Sequence, residues 1–548
     1  MSTYPDPSNP DFYDKINTKF HKYKIPQKRK TLDQICFPRK YEYQIPQKFL
    51  AEIINPKTSY KGILVYHRIG AGKTCTAINI AEKFKHKTKI MIVLPASLQG
   101  NFRSELRSQC AGDFYLKDKE REILKVTHPS DPAYKKIIDE SDNRINDVYT
   151  IYSYNKFISL LQEGAISLSN TLLIIDEVHN LISETGIYYE TLYDAVHSAP
   201  ASLRVVLMTA TPIFDKPGEI ALTMNLLLRN KQLPTGTDFI HKFITIKNTT
   251  RGPVYSVKNL DLFKKYIRGY VSYYRGAPPH VFPKSELHFV KCKMSEKQRR
   301  LYQKIIKIES KKNVVGDYVN FDISNSFFIG TRMVSNVIFP NNKIGEDGYN
   351  SLTDKYLSIP YMKIYSPKFL KILRRIKKCE GTVFVYSSFK EYGGIKTFMR
   401  FLEHHHFKNY ENHKSGDRRY AVWSGDQDTS TKDEIKAVFN HSNNSDGSQL
   451  KVILASPSAK EGVSFLRVQE VHLLEPYWNF SRMDQIMGRA IRFCSHKDVP
   501  ISRRLVKVYI YLATHPDIDI SIDEHIMQMA IQKKYINSQF EKALKSSA

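Results

Sequence analysis

Short, branched apolar runs alternate with amphipathic stretches along most of the chain. Gly62–Tyr66 (GILVY), Ile90–Leu94 (IMIVL), Val148–Tyr152 (VYTIY), Thr171–Ile175 (TLLII) and Leu203–Met208 (LRVVLM) each read as a strand. The runs are continuous rather than alternating, which predicts a parallel sheet with both faces covered. Between the first two, Ala77, Ile78, Ala81 and Phe84 recur at helical spacing. The same grammar returns near Pro367. An amphipathic segment, Phe369–Lys378, precedes strand-like runs at Thr382–Tyr386, Lys451–Ala455 and Val468–Leu474. In between, the alternation fades. Glu286–Ile308 passes from a short strand-like run into a helix, and the polar Pro340–Asp354 reads as a loop. At the N-terminus, prolines and charges predict an arm with one short helix near Phe12–Phe20. Tyr41–Ile54 then leads into a helix. Ile522–Leu544 reads as a closing helix, with Ser521 and Glu524 at capping-box spacing. The expected fold is therefore α/β: an arm (1–40), a first parallel-sheet lobe (41–240), a linker with a helical insertion (241–365), a second lobe (366–515) and a C-terminal helix (516–548).

The most informative stretch follows the first strand. Gly70-Ala71-Gly72-Lys73-Thr74 stands between a strand and a helix, the context of a phosphate-binding loop. Glycines let backbone N–H groups approach phosphate oxygens, and the helix N-terminus adds its positive end. Lys73 supplies a full charge to the phosphates, and the Thr74 hydroxyl suits Mg²⁺. His67 stands where this loop pattern opens with glycine, a departure. Asp176 and Glu177 end the fourth apolar run. An acid there suits a nucleotide-bound Mg²⁺, and its neighbour suits activation of water. Thr209 and Thr211 end the next run and can hydrogen-bond toward the acids and a second domain. Read as a helix, Ser481–Phe493 (SRMDQIMGRAIRF) places Arg482, Gln485, Arg489 and Arg492 on one face, with Met483, Ile486, Met487 and Ala490 inward. Guanidinium groups delivered to a γ-phosphate stabilise transition-state charge. Gly462, in Ala459–Ser464, permits close backbone approach after a strand.

Composition narrows the classes. Of 548 residues, 41% are hydrophobic, as in globular proteins, and no run approaches a bilayer span. The N-terminus lacks an apolar signal core, so no membrane partner is expected. Six cysteines form no C-x-x-C pair, so neither a zinc site nor a disulfide framework is expected, and a reducing compartment fits. Three consecutive histidines, His404–His406, do not share a helix face and do not suggest a metal site. The formal net charge of +28 points to a polyanionic partner, most simply nucleic acid. Codon bias toward Lys in an A+T-rich genome is the bland alternative.

Taken in order, these residues resemble the superfamily 2 helicases and translocases, which carry two RecA-like lobes. GAGKT is similar to motif I, PASLQGNF to motif Ia, DEVH to motif II, TAT to motif III, AKEGVS to motif V and QIMGRAIR to motif VI. Gln47 matches the adenine-contacting position, and Gln44 is the other candidate. PASLQGNFRSEL and FPKSELHFVKCKMSEKQRRLY are similar to Swi/Snf-type translocases. HRIGAGKT, GYVSYYRG and EPYWNFSRMDQIMGRAIRFCSH resemble the NTPases of large nucleocytoplasmic DNA viruses, especially the poxvirus-type early transcription factor small subunit and nucleoside triphosphatase I families. The resemblance implies a DNA-dependent ATPase using ATP and Mg²⁺, packaged in the virion, active in cytoplasmic viral factories and working with a viral RNA polymerase or a larger transcription factor subunit. It implies that Lys73 and Thr74 hold phosphate and metal, that Asp176 holds Mg²⁺ and that Glu177 activates water. It also implies that Gln485, Arg489 and Arg492 act from the second lobe. Two readings stay beside DNA translocation: an ATP-switched promoter-binding factor, and an RNA helicase.

Overall fold

A computed structural model describes residues 4–26, 30–38, 41–68, 70–127, 131–183, 186–249, 252–312, 327–457 and 463–548. The chain divides into two units, Met1–Pro278 with Tyr535–Ala548, and Pro279–Lys534. No helix among the described residues is long and apolar enough to cross a membrane.

In the first unit the predicted strands form at β1 (Gly62–His67), β2 (Lys89–Leu94), β3 (Tyr149–Ser153), β4 (Thr171–Asp176) and β5 (Arg204–Thr209). After the β6–β7 hairpin (Ile244–Thr249, Gly252–Val257), β8 (Val271–Tyr274) joins the same sheet. The order is β3-β2-β4-β5-β1-β8, all parallel. Parallel pairing puts the C-terminal ends of β1, β4 and β5 on one edge, where open α/β sheets bind ligands. β1, β4 and β5 are buried on both faces, as their continuous apolar runs require. The arm packs into this core through Phe12, Ile16 and Phe20, and the predicted short helix forms at Phe12–Lys19. The end of the chain returns to the unit. Phe540 packs on Phe239 and Phe263, and Tyr66 donates to Glu541 (3.1 Å).

The second unit holds β9 (Lys284–Lys293), β10 (Thr382–Tyr386), β11 (Lys408–Asn409), β12 (Arg419–Trp423), β13 (Val452–Ala455), β14 (Val468–Leu473) and β15 (Leu505–Thr514). They form a parallel sheet in the order β11-β12-β13-β10-β14-β15-β9. β9 pairs with β15 from Lys284↔Leu505 to Lys293↔Thr514. A buried ion pair, Lys368–Asp523 (2.6 Å), fastens the start of the helix Pro367–Lys378 to that of the helix Ile522–Ser546. Lys368 also donates to Asn336 Oδ1 (2.9 Å) and the Leu474 carbonyl (3.1 Å). Satisfying a buried ammonium in this way is what makes its burial tolerable.

Three expectations are corrected. Pro340–Asp354 is not loop throughout, because Gly345–Asn350 forms a short helix. The Ser481–Phe493 helix runs only over Phe480–Met487. Gly488, a poor helix former, follows it, and Arg489 N and Ala490 N then bond carbonyls three residues back. Cysteine spacing also misled: Cys75 and Cys110 form a disulfide. They are 35 residues apart, and tertiary packing, not local spacing, brings them together. Cys75 lies in the first turn of the helix Lys73–Phe84, and both cysteines are buried. Cys292 and Cys379 are free thiols. A loop of this length makes cross-linking worth roughly 3–4 kcal/mol through the unfolded chain. Cys110→Ser is therefore expected to lower the unfolding free energy of the first unit by about that amount, read by denaturant titration without reductant. Equal stability would show that the cross-link does not form in solution.

Candidate active site

The phosphate loop sits at the C-terminal end of β1. His67 is the last residue of that strand, paired with Tyr274 of β8, so its extended backbone needs no glycine. Its ring is buried, with Nε2 3.2 Å from Ser272 Oγ. Burial, with Lys73 nearby, pushes its pKa down to about 3, so it stays neutral. The left-handed turns fall on Gly70 (φ 80°) and Gly72 (φ 65°). Gly72 is required twice over. A Cβ there would lie 2.6 Å from Gln47 Nε2, and Gln47 itself donates to the Gly72 carbonyl (3.1 Å). Gln47 Oε1 accepts from Gln44 N (2.7 Å), so both ends of this carboxamide are engaged with protein backbone. The buried Oε1 of Gln44 has no hydrogen-bond partner among the described residues.

Lys73 begins the following helix, and Thr74 is its second residue. Lys73 Nζ lies 2.9 Å from Glu177 Oε1, the two side chains being 15% and 25% exposed. Glu177 follows β4 in a left-handed conformation (φ 48°, ψ 48°), which turns its carboxylate off the strand line. Glu177 N donates back to Asp176 Oδ1 (2.9 Å). Burial and the neighbouring Glu177 charge raise the Asp176 pKa, while Lys73 opposes them. Such a carboxyl gains most from a cation, and the donor set Asp176, Glu177 and Thr74 is the hard-oxygen chemistry that suits Mg²⁺.

His179 closes the DEVH run, and its bonds reach beyond it. Nδ1 is 3.1 Å from Thr209 Oγ1, 3.5 Å from Thr211 Oγ1 and 3.5 Å from Glu177 Oε2. Burial lowers its pKa to about 4, so a neutral ring joins the ends of β4 and β5. The ring stacks on Phe214 (5.0 Å). Phe214 N and Asp215 N in turn donate to the half-buried Glu219 (2.8 and 2.9 Å), whose pKa is pushed up to about 7, chiefly by desolvation. Thr209 also accepts from Thr211 N (3.0 Å), so the two threonines form one turn. No sequence pattern marked Glu219.

In the second unit the four polar side chains of the Arg482–Arg492 segment do not share a face. Arg482 is buried, lies over the Tyr477 ring (4.0 Å) and donates to Tyr386 OH (3.3 Å). Arg489 and Arg492 lie past the helix, and both donate to the Val463 carbonyl (3.3 and 3.1 Å). Gln485 is half-buried on the helix. Met483, Ile486, Met487 and Ala490 are buried as expected. Gly462 lies outside the described residues. Glu475, just past β14, accepts from Ser387 Oγ (3.0 Å) and Ser388 N, which follow β10, and from Asn336 Nδ2 (3.0 Å).

Two parallel sheets, the first gathering a phosphate loop and an acidic pair on its C-terminal edge, are the architecture of a RecA-like nucleoside triphosphatase. Comparison with known proteins narrows the class. Residues 35–214 match the family described as type III restriction enzyme, res subunit, and residues 367–494 match the helicase conserved C-terminal domain. A protein of Acanthamoeba polyphaga mimivirus, provisionally named an ATP-dependent RNA helicase, is 68% identical over 96% of this chain and 92% of its own length. A provisionally named helicase of Invertebrate iridescent virus 3 is 28% identical over 97% of this chain and 55% of its own. A termination factor NPH-I homolog of African swine fever virus is 25% identical over 89% of this chain and 76% of its own. The chain belongs to the viral superfamily 2 helicases and is an ATP-hydrolysing enzyme that binds nucleic acid.

Proposed function

We propose that this helicase is an ATP- and Mg²⁺-dependent translocase on DNA, acting in viral transcription with a viral RNA polymerase or a larger transcription factor subunit. The observation that carries the hydrolytic part is the Lys73–Glu177 pair at 2.9 Å. A triphosphate brings several negative charges to the loop and draws Lys73 from the glutamate. Glu177 then orients and deprotonates the attacking water, with Asp176 and Thr74 as the residues that would hold Mg²⁺. Held there, the metal would supply positive charge that offsets the phosphates. Arg489 and Arg492 neutralise charge developing on the γ-phosphate, and Gln485 and Gly462 belong to the same machinery. Thr209, Thr211 and His179 carry the change at Glu177 to β5. The adenine reader is the Gln44–Gln47 pair. Gln47 is held against the loop by its bonds to the Gly72 carbonyl and Gln44 N.

Support for DNA comes from the Swi/Snf-like runs and from the African swine fever virus relative named as a termination factor homolog. The mimivirus relative named as an RNA helicase favours the second reading, an RNA track. An ATP-switched promoter factor is the third. The virion and the cytoplasmic viral factory are the proposed sites of action. ATPase rates with single-stranded DNA, duplex DNA and RNA decide between tracks, with the largest stimulation expected from DNA. ATP-dependent displacement of a triplex-forming strand, with little release from tailed duplex, is expected of a translocase. Efficient unwinding restores an ordinary helicase, and neither signal with ATPase intact favours the promoter factor. The +28 charge is expected to appear as affinity falling steeply with salt. A flat salt titration would mean that the charge reflects composition alone.

A further inference from the structure

β3 is separated from β4 by β2, yet the first residue after β3 reaches the acidic pair. Tyr154 opens the helix Tyr154–Gln162, whose N-cap Ser153 accepts from Lys156 N (3.4 Å). The Tyr154 hydroxyl lies 2.6 Å from the Asp176 carbonyl and 3.0 Å from the Glu177 carbonyl. A phenol carries one proton, so it is shared between two consecutive carbonyls. Those carbonyls flank Glu177, the one residue held left-handed without being glycine among the described residues of the site (φ 48°, ψ 48°). Backbone of that kind persists only where the surroundings over-determine it. The turn is what aims Glu177 at Lys73 (2.9 Å) and His179 (3.5 Å).

We propose that Tyr154 is a positioning residue for hydrolysis. Its hydroxyl fixes the peptide planes on either side of the Glu177 turn and so sets where the Glu177 carboxylate stands. Tyr154 acts through that backbone. The inference rests on the reading of Glu177 as the water-activating group. It gives the segment after β3 a task that no spacing in the sequence discloses, because the partners meet only through sheet order.

The test is Tyr154→Phe, which keeps the ring and deletes the hydroxyl, measured by nucleic-acid-stimulated ATPase on the full chain. Displacing a catalytic group by an ångström lowers turnover by up to about 100-fold, so a fall in kcat of roughly 10- to 100-fold is expected. KM for ATP, affinity for a fluorescent ATP analogue and the unfolding midpoint are expected to stay at wild-type values. In the double variant with Glu177→Gln, Tyr154→Phe is expected to bring no further loss, because the group it positions is already disabled. Tyr188→Phe, which removes a bond to Asn155 (2.8 Å) on the same helix, serves as the control and is expected to keep wild-type turnover. Wild-type kcat in Tyr154→Phe would overturn the proposal. So would a loss carried by KM, or one that multiplies with Glu177→Gln. If Glu177→Gln alone keeps wild-type turnover, the underlying reading of Glu177 fails instead.

Discussion

Glu177→Gln is expected to lower steady-state ATP turnover by roughly 10³-fold while nucleotide binding survives. The substitution keeps the shape of the side chain and removes the basic oxygen. The Glu177 carboxylate is engaged with Lys73 (2.9 Å), so the lysine is held by the group it must leave to meet the phosphates. Neutralising Glu177 removes that competitor. ATP affinity is therefore expected to equal or exceed wild type, read by titration with a fluorescent analogue alongside phosphate release. Lys73→Ala is the contrasting case. It removes the charge that meets the phosphates and leaves Glu177 without its ion pair, so binding and turnover both fall. Wild-type turnover in Glu177→Gln would remove the glutamate from the mechanism.

The second large effect separates three arginines that lie close in sequence. Arg489→Ala and Arg492→Ala are each expected to reduce turnover by about 10³-fold or more, the scale of a lost arginine finger. Lysine is expected to restore little at either position, because an ammonium cannot reproduce the planar fork of donors. Arg482→Ala is expected to behave differently. Its guanidinium is buried over Tyr477 and bonded to Tyr386, so its loss removes packing under the start of the helix Phe480–Met487. The expected signature is a lower melting temperature with turnover per folded molecule nearly kept. Equal turnover losses in all three variants, at unchanged melting temperature, would restore the single polar face expected from helical spacing.

Much of this architecture was legible in the chain because it is local. Continuous branched runs of five or so residues cannot be amphipathic strands, so a parallel sheet covered on both faces follows from the runs alone. The phosphate loop is a contiguous segment, and Gly70 and Gly72 are where its left-handed turns fall. Asp176 and Glu177 end an apolar run, and in a parallel sheet that places them on the edge shared with the loop. The capping-box spacing of Ser521 and Glu524 appears as the bonds Ser521 N to Glu524 Oε2 (3.1 Å) and Glu524 N to Ser521 Oγ (3.2 Å).

What the sequence did not disclose depends on distances through space. Helical periodicity grouped Arg482 with Arg489 and Arg492, but it assumed that the helix continues through Gly488. Cysteine spacing excluded a disulfide because a rule about neighbouring residues says nothing about Cys75 and Cys110, which packing between separate elements brings into contact. The hydrogen bond from Tyr154 to the acidic pair spans an intervening strand, and the bonds that hold Phe214 N and Asp215 N come from Glu219 on the next helix. The sequence by itself determined the loop, the strand ends and the residue types available for hydrolysis, because each is written within one turn or one strand. Only the tertiary structure decided which partners hold Glu177, which arginines converge on Val463 and which cysteines join, because those choices depend on strand order and packing, and neither is a local property of the chain.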